Sequence, residues 1–445
     1  MLANLTSLGY LSMTAIQAES LPAALDQRDL IAQAKTGSGK TAAFGIPLME
    51  KLNPRWFAIQ GLVLCPTREL ALQVAKELRR LARHIDNIKI LTLCGGSPMG
   101  PQIGSLEHGA HIVVGTPGRL RDHLGRGTID LSTVHTLVLD EADRMVDMGF
   151  YDDIAGIVSA CPKKRQTLLF SATYPDNIRK LSAPFLRAPL EVKVESLHRT
   201  DKIEQRFYKI DAAARNDMVS KALLHFRPTS TLAFCNTKIH CRELAAALTA
   251  QGFSALALYG ELEQRERDEI LLRFVNQSVS VLVATDVAAR GLDIQGLDMV
   301  INVDVARDAE VHIHRIGRTG RGDEQGLALT LVAAADQRWA DQIALYQQAP
   351  LVWHDCAELT AKGAGRLTPP MVTLCIADGK KEKLRPGDIL GAFTGEGGLD
   401  GQAIGKIQIG EFASHVALRR EVAQQHFGRL QQCKIKGKIR KMRLL

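Results

Sequence analysis

The chain has 445 residues, with 56 Lys plus Arg against 48 Asp plus Glu, a formal charge of +8 and 46% hydrophobic content. That is length for about three domains, and ordinary apolar content with little net charge per residue excludes a disordered chain. No uninterrupted apolar run approaches the roughly 18 residues of a membrane span, the eight cysteines include no C-x-x-C pair, and the opening MLANLTSLGY lacks the basic and apolar regions of a secretory signal. A cytoplasmic chain with reduced thiols is expected.

Short apolar runs then alternate with amphipathic stretches over two long regions, which predicts parallel sheets wrapped by helices. In the first region the expected strands are 29–34, 61–65, 89–93, 111–115, 136–140 and 167–171. Directly after the first strand comes Ala34-Lys35-Thr36-Gly37-Ser38-Gly39-Lys40-Thr41, a phosphate loop with Ala at the usual first glycine, followed by a helix-like run. Its glycines let backbone N–H groups close around phosphates, Lys40 can reach the β and γ phosphates, and Thr41 offers a hydroxyl to Mg²⁺. The strand ending in Asp140-Glu141-Ala142-Asp143 puts acids at the carboxyl edge of a parallel sheet, where ligands of such folds bind. Asp140 is the natural Mg²⁺ carboxylate, partly through water, and Glu141 is placed to orient or deprotonate an attacking water. Asp143 would link this segment to others.

Residues 190–205 mix charges without helical periodicity and read as a connector. The second region has expected strands at 231–235, 255–259, 279–284, 299–303 and 327–332, but no phosphate loop, which makes it a partner rather than a second ATPase. Cys235 and Cys241 flank His240 at a spacing that does not fit a metal site. A run from Ala284 to Asp293 again follows a strand. Arg315, Arg318 and Arg321 recur every third residue, a spacing that shares one face if helical and suits fingers for a transferring phosphoryl group.

After a Gly- and Pro-broken junction at 347–370, the tail reads strand (372–377), helix (385–394), strand (403–409), strand (412–418), helix (419–430), strand (434–443), the order of an RNA-recognition-motif-like sandwich. Residues 371–445 carry +7 and the rest of the chain only +1. Lys434, Lys436, Lys438, Arg440, Lys441 and Arg443 run without an acid, which predicts a polyanion-binding surface. Leu374 and Ile376 stand where base-stacking aromatics are usual, so basic side chains around a structured RNA are the expected mode of recognition.

Across the first 345 positions the chain resembles the DEAD-box RNA helicases. The matching runs are Gly9-Tyr10 through Gln17, the phosphate loop, Pro66 to Ala71, Gly95-Gly96, Thr116 to Arg119, Asp140 to Asp143, Ser171 to Thr173, Phe234 to Thr237, Gln264 with Arg267, Thr285 to Asp293 and His314 to Arg321. The resemblance implies an α/β fold of two tandem RecA-like domains (1–192 and 202–346) followed by an α+β domain (371–445). It also implies ATP and Mg²⁺ as ligands. Gln17 would read adenine. Thr36, Gly37, Ser38, Gly39, Lys40 and Thr41 would hold phosphates and metal, with Gly291 and Asp293 also on the nucleotide, Asp293 at the ribose. Arg318 and Arg321 would be the fingers. Thr67, Arg68, Gly96, Thr116, Arg119, Gln264, Arg267 and Thr285 would touch RNA, whereas Ser171 and Thr173 would couple hydrolysis to duplex separation. The family carries an aromatic residue upstream of the Q-motif glutamine, and here Met1 falls too close to Gln17 to include it, so that group precedes Met1 or adenine is stacked more weakly.

The tail resembles the terminal domain of bacterial DEAD-box proteins that bind 23S ribosomal RNA and act in large-subunit assembly, on Ala377 to Lys381, Arg385 to Ala392, Gly397 to Gly401, Ile404 to Ile407 and Lys434 to Lys438. The implied function is a monomeric RNA-dependent ATPase that locally separates RNA duplexes. An ATP-controlled clamp on ribosomal RNA with little strand separation is the alternative.

Overall fold

A computed structural model describes residues 1–34, 37–174, 176–194, 203–289, 294, 296–320, 325–362 and 367–445. The chain divides into two compact units near residue 198. The first is built on β1 (Leu30–Gln33), β2 (Gly61–Leu64), β3 (Ile90–Leu93), β4 (Ile112–Gly115), β5 (Thr136–Asp140), β6 (Gln166–Ser171) and β7 (Leu190–Lys193). They pair in the order β3-β4-β2-β5-β6-β1-β7, all parallel.

Both faces of the central part of this sheet are dry because strands such as β2 and β4 are apolar and buried throughout. Val63, Val114 and Val138 point into one core beneath helices such as Lys40–Glu50 and Arg68–Leu81, while Leu62, Val113 and Leu137 enter the other. Continuous apolar runs rather than alternation are what a sheet covered on both sides needs.

The second unit repeats the plan with β8 (Ile203–Ile210), β9 (Thr231–Cys235), β10 (Ala255–Leu258), β11 (Val281–Thr285), β12 (Met299–Asn302), β13 (Gly326–Ala333) and β14 (Trp353–His354). Their order, β10-β11-β9-β12-β13-β8-β14, is the first sheet's order with seven added to each strand number, again all parallel.

The expected connector over 190–205 is corrected here. Its start is edge strand β7, in register Leu30↔Leu190 with β1, and its end begins β8, which pairs along its whole length with β13. The charges that obscured β8 include exposed Glu204 and Lys209, while the neighbouring Phe207 and Tyr208 are buried.

The tail forms a third sheet within the second unit, from β15 (Met371–Ile376), β16 (Ile404–Ile409), β17 (Ser414–Arg419) and, after the short pair β18 (Lys434–Ile435) and β19 (Lys438–Ile439), β20 (Met442–Leu444). The order is β16-β17-β15-β20, antiparallel. The last expected strand is therefore broken: Lys436 and Gly437 both have positive φ (54° and 75°) and make the two-residue turn of the β18–β19 hairpin.

One face of the third sheet packs Val372, Leu374, Val416 and Leu418 against Ile389, Phe393, Ala423 and Leu430 of its two helices. On the opposite face Thr373 is fully buried against the loop before β11. Its Oγ1 accepts from Asn276 Nδ2 at 3.2 Å and pairs with Ser278 Oγ at 2.7 Å, and Met371 N donates to Gln277 O at 3.3 Å. Thr373→Val removes the acceptor of the buried Asn276 amide, while Ser278 keeps its bond to Arg273 O, so the second unit should lose about 1–3 kcal/mol in a urea melt followed by tryptophan fluorescence.

Candidate active site

In a parallel sheet every strand delivers its following loop to the same edge, and the strand order decides which loops are neighbours. Here β1, β6 and β5 bring the phosphate loop, the Ser171-Ala172-Thr173 turn and the acidic run side by side. The adjacent β2, β4 and β3 bring Thr67-Arg68, Thr116 to Arg119 and Gly95-Gly96. The runs expected to hold nucleotide and those expected to touch RNA thus occupy two halves of one edge of the first unit.

The phosphate loop turns into helix Lys40–Glu50 through Gly39, whose φ is +93°. A Cβ at Gly39 would stand 2.5 Å from Gln17 Nε2 and 3.0 Å from Thr14 Oγ1, so only glycine lets the loop pass beneath Gln17. Gln17 is buried. Its Nε2 donates to Gly39 O at 3.1 Å and its Oε1 accepts from Thr14 N at 2.9 Å, which caps helix Ala15–Leu25. Beside the loop three buried polar atoms have no hydrogen-bond partner among the described residues: Ser38 Oγ, Lys40 Nζ and Asp140 Oδ1. Buried groups of this kind are costly unless a polar ligand completes them. An unpartnered ammonium and an unpartnered carboxylate that feel each other's charge suit a phosphate and its divalent cation.

Burial pushes the Asp140 carboxyl up to about 6, with the Lys40 ammonium opposing the rise. Glu141 takes a left-handed conformation, φ +53°, at the start of helix Ala142–Asp147, and its Oε2 accepts from Arg144 Nη1 at 2.7 Å in a buried pair. Arg144 was not singled out by sequence reasoning; its place three residues after Glu141 on one helix face was the available signal. Asp143 is the link expected of it. Its Oδ2 accepts from Thr173 N (2.9 Å) and Thr173 Oγ1 (3.0 Å), and its own N–H donates to Ser171 Oγ (3.2 Å). Burial alone would raise the Asp143 carboxyl, but the Thr173 N–H, Lys40 and Ser171 outweigh it and hold it below the usual range.

On the other half of the edge, Thr67 caps helix Arg68–Leu81 by accepting from Leu70 N at 3.3 Å, and Thr116 precedes helix Pro117–Gly125. Arg68 Nη1 donates to Gly95 O (3.4 Å) and Arg119 Nη1 to Ser97 O (2.9 Å), while Gly96 has φ +72°.

In the second unit the arginine run leaves the helix early. Helix Ala309–Ile316 carries Arg315 and ends before Arg318, so these two arginines do not share one helical face. Arg315 is buried and bridges the motifs: Nε and Nη2 donate to Asp286 Oδ1 and Oδ2 (both 2.7 Å), Nη2 to Asn236 Oδ1 (2.8 Å), and Nη1 to Asp304 O (2.7 Å). Arg318 is buried as well. Gln264 opens helix Gln264–Val275 and donates to Asp268, Arg267 donates to Ala288 O, and Thr285 ends β11. Thr36, Gly291, Asp293 and Arg321 lie outside the described residues.

Cys235, His240 and Asp304 come together, but Asp304 already holds His240 Nδ1 at 2.9 Å and Arg215 at 3.3 Å, so a guanidinium supplies the cation there. In the tail Lys434 and Lys438 are exposed. Lys436 Nζ donates to Lys383 O at 2.7 Å, and Arg440 is paired with Asp378.

This geometry defines a phosphate-loop ATPase with a duplicated parallel-sheet core and an appended RNA-binding domain. A DEAD/DEAH box helicase family model matches residues 14–181, a helicase conserved C-terminal domain residues 214–323, and a DbpA RNA binding domain residues 373–444. The chain is 51% identical over its full length to the ATP-dependent RNA helicase DbpA of Escherichia coli, covering 97% of that protein. It is 45% identical to the DEAD-box ATP-dependent RNA helicase CshA of Geobacillus kaustophilus, over 73% of this chain and 70% of the relative. Among solved structures, the L327V variant of S. cerevisiae Dbp5 bound to RNA and ADP BeF3 superposes with a TM-score of 0.73 at 28% identity, over 80% of this chain and 94% of that one. The chain belongs to the DEAD-box ATP-dependent RNA helicases.

Two outcomes are expected. Gly39→Ala forces a left-handed alanine, costing roughly 1–2 kcal/mol, into Gln17, and should weaken ATP binding about tenfold by calorimetry. Because Asp143 is held ionised, the Thr173 link contributes above the ordinary carboxylate pKa and is lost as pH falls through the lowered one. Thr173→Val should therefore destabilise by about 1–3 kcal/mol at neutral pH, with the difference from the parent vanishing in strong acid.

Proposed function

We propose that this RNA helicase is directed by its tail to 23S ribosomal RNA, where it locally separates duplexes during assembly of the large ribosomal subunit. The observation that carries this reading is the tail itself: a DbpA-type RNA-binding domain that holds nearly all the excess charge and leaves Lys434 and Lys438 exposed. Its stacking-poor sheet, with Thr373 buried, favours contact through basic side chains.

Each core residue is assigned a role, and for those within the described residues the surroundings are compatible with it. The Gln17 amide retains one N–H and one oxygen lone pair after holding Gly39 and Thr14, the donor and acceptor that adenine N7 and N6 require. Lys40 and the N–H groups at the helix start bind the phosphates. Thr41 and Asp140 would hold Mg²⁺, which when bound neutralises charge on the phosphates. Glu141, set in place by Arg144, orients the attacking water and receives its proton. Arg318 and Arg321 are assigned to the charge on the transferring phosphoryl group, and Gly291 with Asp293 to the nucleotide. The RNA contacts are Thr67, Arg68, Gly96, Thr116, Arg119, Gln264, Arg267 and Thr285, joined in the tail by Lys434 and Lys438, with Lys436 and Arg440 supporting the loops around them. Backbone contacts position RNA without reading bases, so selectivity belongs to the tail. The protein acts as a cytoplasmic monomer, where its eight free cysteines are stable.

Glu141→Gln should retain ATP and RNA binding and abolish turnover. With the full chain carrying Lys434→Glu and Lys438→Glu, preference for 23S fragments over generic RNA should fall, and the plot of log K against log salt should flatten by about 1.4–1.8. Unchanged preference would remove the tail's assignment.

A further inference from the structure

The loop from Leu93 to Ser97 is held by its carbonyls. Leu93 O accepts from Thr116 N at 3.1 Å, Gly95 O from Arg68 Nη1 at 3.4 Å and Ser97 O from Arg119 Nη1 at 2.9 Å. These donors belong to the RNA motifs described above. Cys94 O, in contrast, is held by a residue outside every motif: Gln102 Nε2 donates to it at 3.1 Å. Gln102 is the buried residue of helix Met99–Glu107, a polar side chain where an apolar one would be ordinary. Its Oε1 meets His123 Nε2 at 3.2 Å, and His123 Nδ1 meets Thr128 Oγ1 at 2.8 Å. Since the amide nitrogen is committed to Cys94 O, the Gln102 oxygen must accept, which places the hydrogen on His123 Nε2. Burial, helped by nearby Arg119, lowers the His123 pKa, in keeping with a neutral ring. His123 lies on helix Pro117–Gly125, the helix that carries Arg119.

We infer that Gln102, braced by His123, is a positioning residue for RNA binding: it aims the Gly95 and Gly96 N–H groups at a phosphate oxygen of the bound strand. In a trans peptide the N–H points opposite to the carbonyl of the same plane, and the chain has no cis peptides among its described residues. Fixing Cys94 O toward Gln102 therefore turns the Gly95 N–H away from it, and fixing Gly95 O toward Arg68 does the same for the Gly96 N–H. A Cβ at Gly95 would meet nothing within 4 Å, so that side of the loop is open to a ligand. Two outward N–H groups in succession form an anion-binding concavity. His123 also makes the loop and the Arg119 helix move as one piece, so both phosphate contacts keep a common register.

This inference rests on the reading of the β2, β3 and β4 loops as RNA contacts, and its test separates the two. In the full chain, Gln102→Met keeps length and volume but cannot hydrogen-bond. RNA-stimulated ATP turnover is measured against RNA concentration and against ATP concentration, with the thermal midpoint recorded. The expected result is a rise in KM for RNA of roughly three- to tenfold, with kcat at saturating RNA and KM for ATP unchanged. His123→Leu, which leaves the bond to Cys94 but removes the brace, should raise the RNA KM less, and it carries the test if Gln102→Met does not fold. Arg68→Ala is the reference for the underlying reading. If Arg68→Ala raises the RNA KM and folded Gln102→Met does not, the positioning role is overturned. If neither does, the RNA reading of these loops fails and the inference with it. A parallel rise of both KM values with a lower thermal midpoint would mark a merely structural residue and also overturn it.

Discussion

The carboxylate of Asp143 is the interaction on which the first unit's working edge depends. It is buried and held ionised by the Thr173 N–H, Lys40 and Ser171. Through it the acidic loop after β5, the turn after β6 and the phosphate loop after β1 respond to one another. The strand order made this possible, because β1, β6 and β5 are neighbours and a single short side chain can reach across their loops. A change in what Lys40 binds alters the charge that Asp143 feels. Asp143 in turn fixes Thr173, so a local electrostatic event at the phosphates has a direct mechanical address.

The second unit uses the same sheet for a different economy of charge. Arg315 is buried, with its guanidinium divided among Asp286, Asn236 and Asp304 O. Removing a partner from such a cluster leaves an uncompensated buried charge, the most damaging kind of single change. Three motifs far apart in sequence are thereby locked into one rigid edge. The tail is then seated on this unit through Thr373, and Arg443 reaches Glu269 at 3.8 Å. A basic domain held this way presents RNA from a defined side rather than from the end of a loose linker.

Much of this was legible in the sequence. The phosphate loop, the acidic run and the strands that deliver them follow from apolar runs ended by glycines and acids, and the six first-region strands lie where their periodicity places them. What was not legible has a common cause. Strand β8 carries Glu204, Arg206 and Lys209 because its charges reach solvent while Phe207 and Tyr208 pack, so neither a continuous apolar run nor a clean alternation marks it in the sequence. Gln102 was invisible because its importance lies in the partner it finds, Cys94 O, whereas Arg144 left only the weak signal of its spacing from Glu141. The arginine run was legible as chemistry but not as geometry: the helix ends at Ile316, between Arg315 and Arg318, and the Arg315 guanidinium is taken up by Asp286, a partner that only folding brings near.

The central claim is that nucleotide and RNA are bound by two halves of one edge and therefore act on each other. Binding free energies coupled in this way are reciprocal. The most direct test is to titrate the full chain with a non-hydrolysable ATP analogue at zero and saturating RNA, then with RNA at zero and saturating analogue. The account predicts that each ligand tightens the other by the same factor and that Asp143→Asn reduces both factors together. Independent binding, with affinities indifferent to the second ligand, would contradict it.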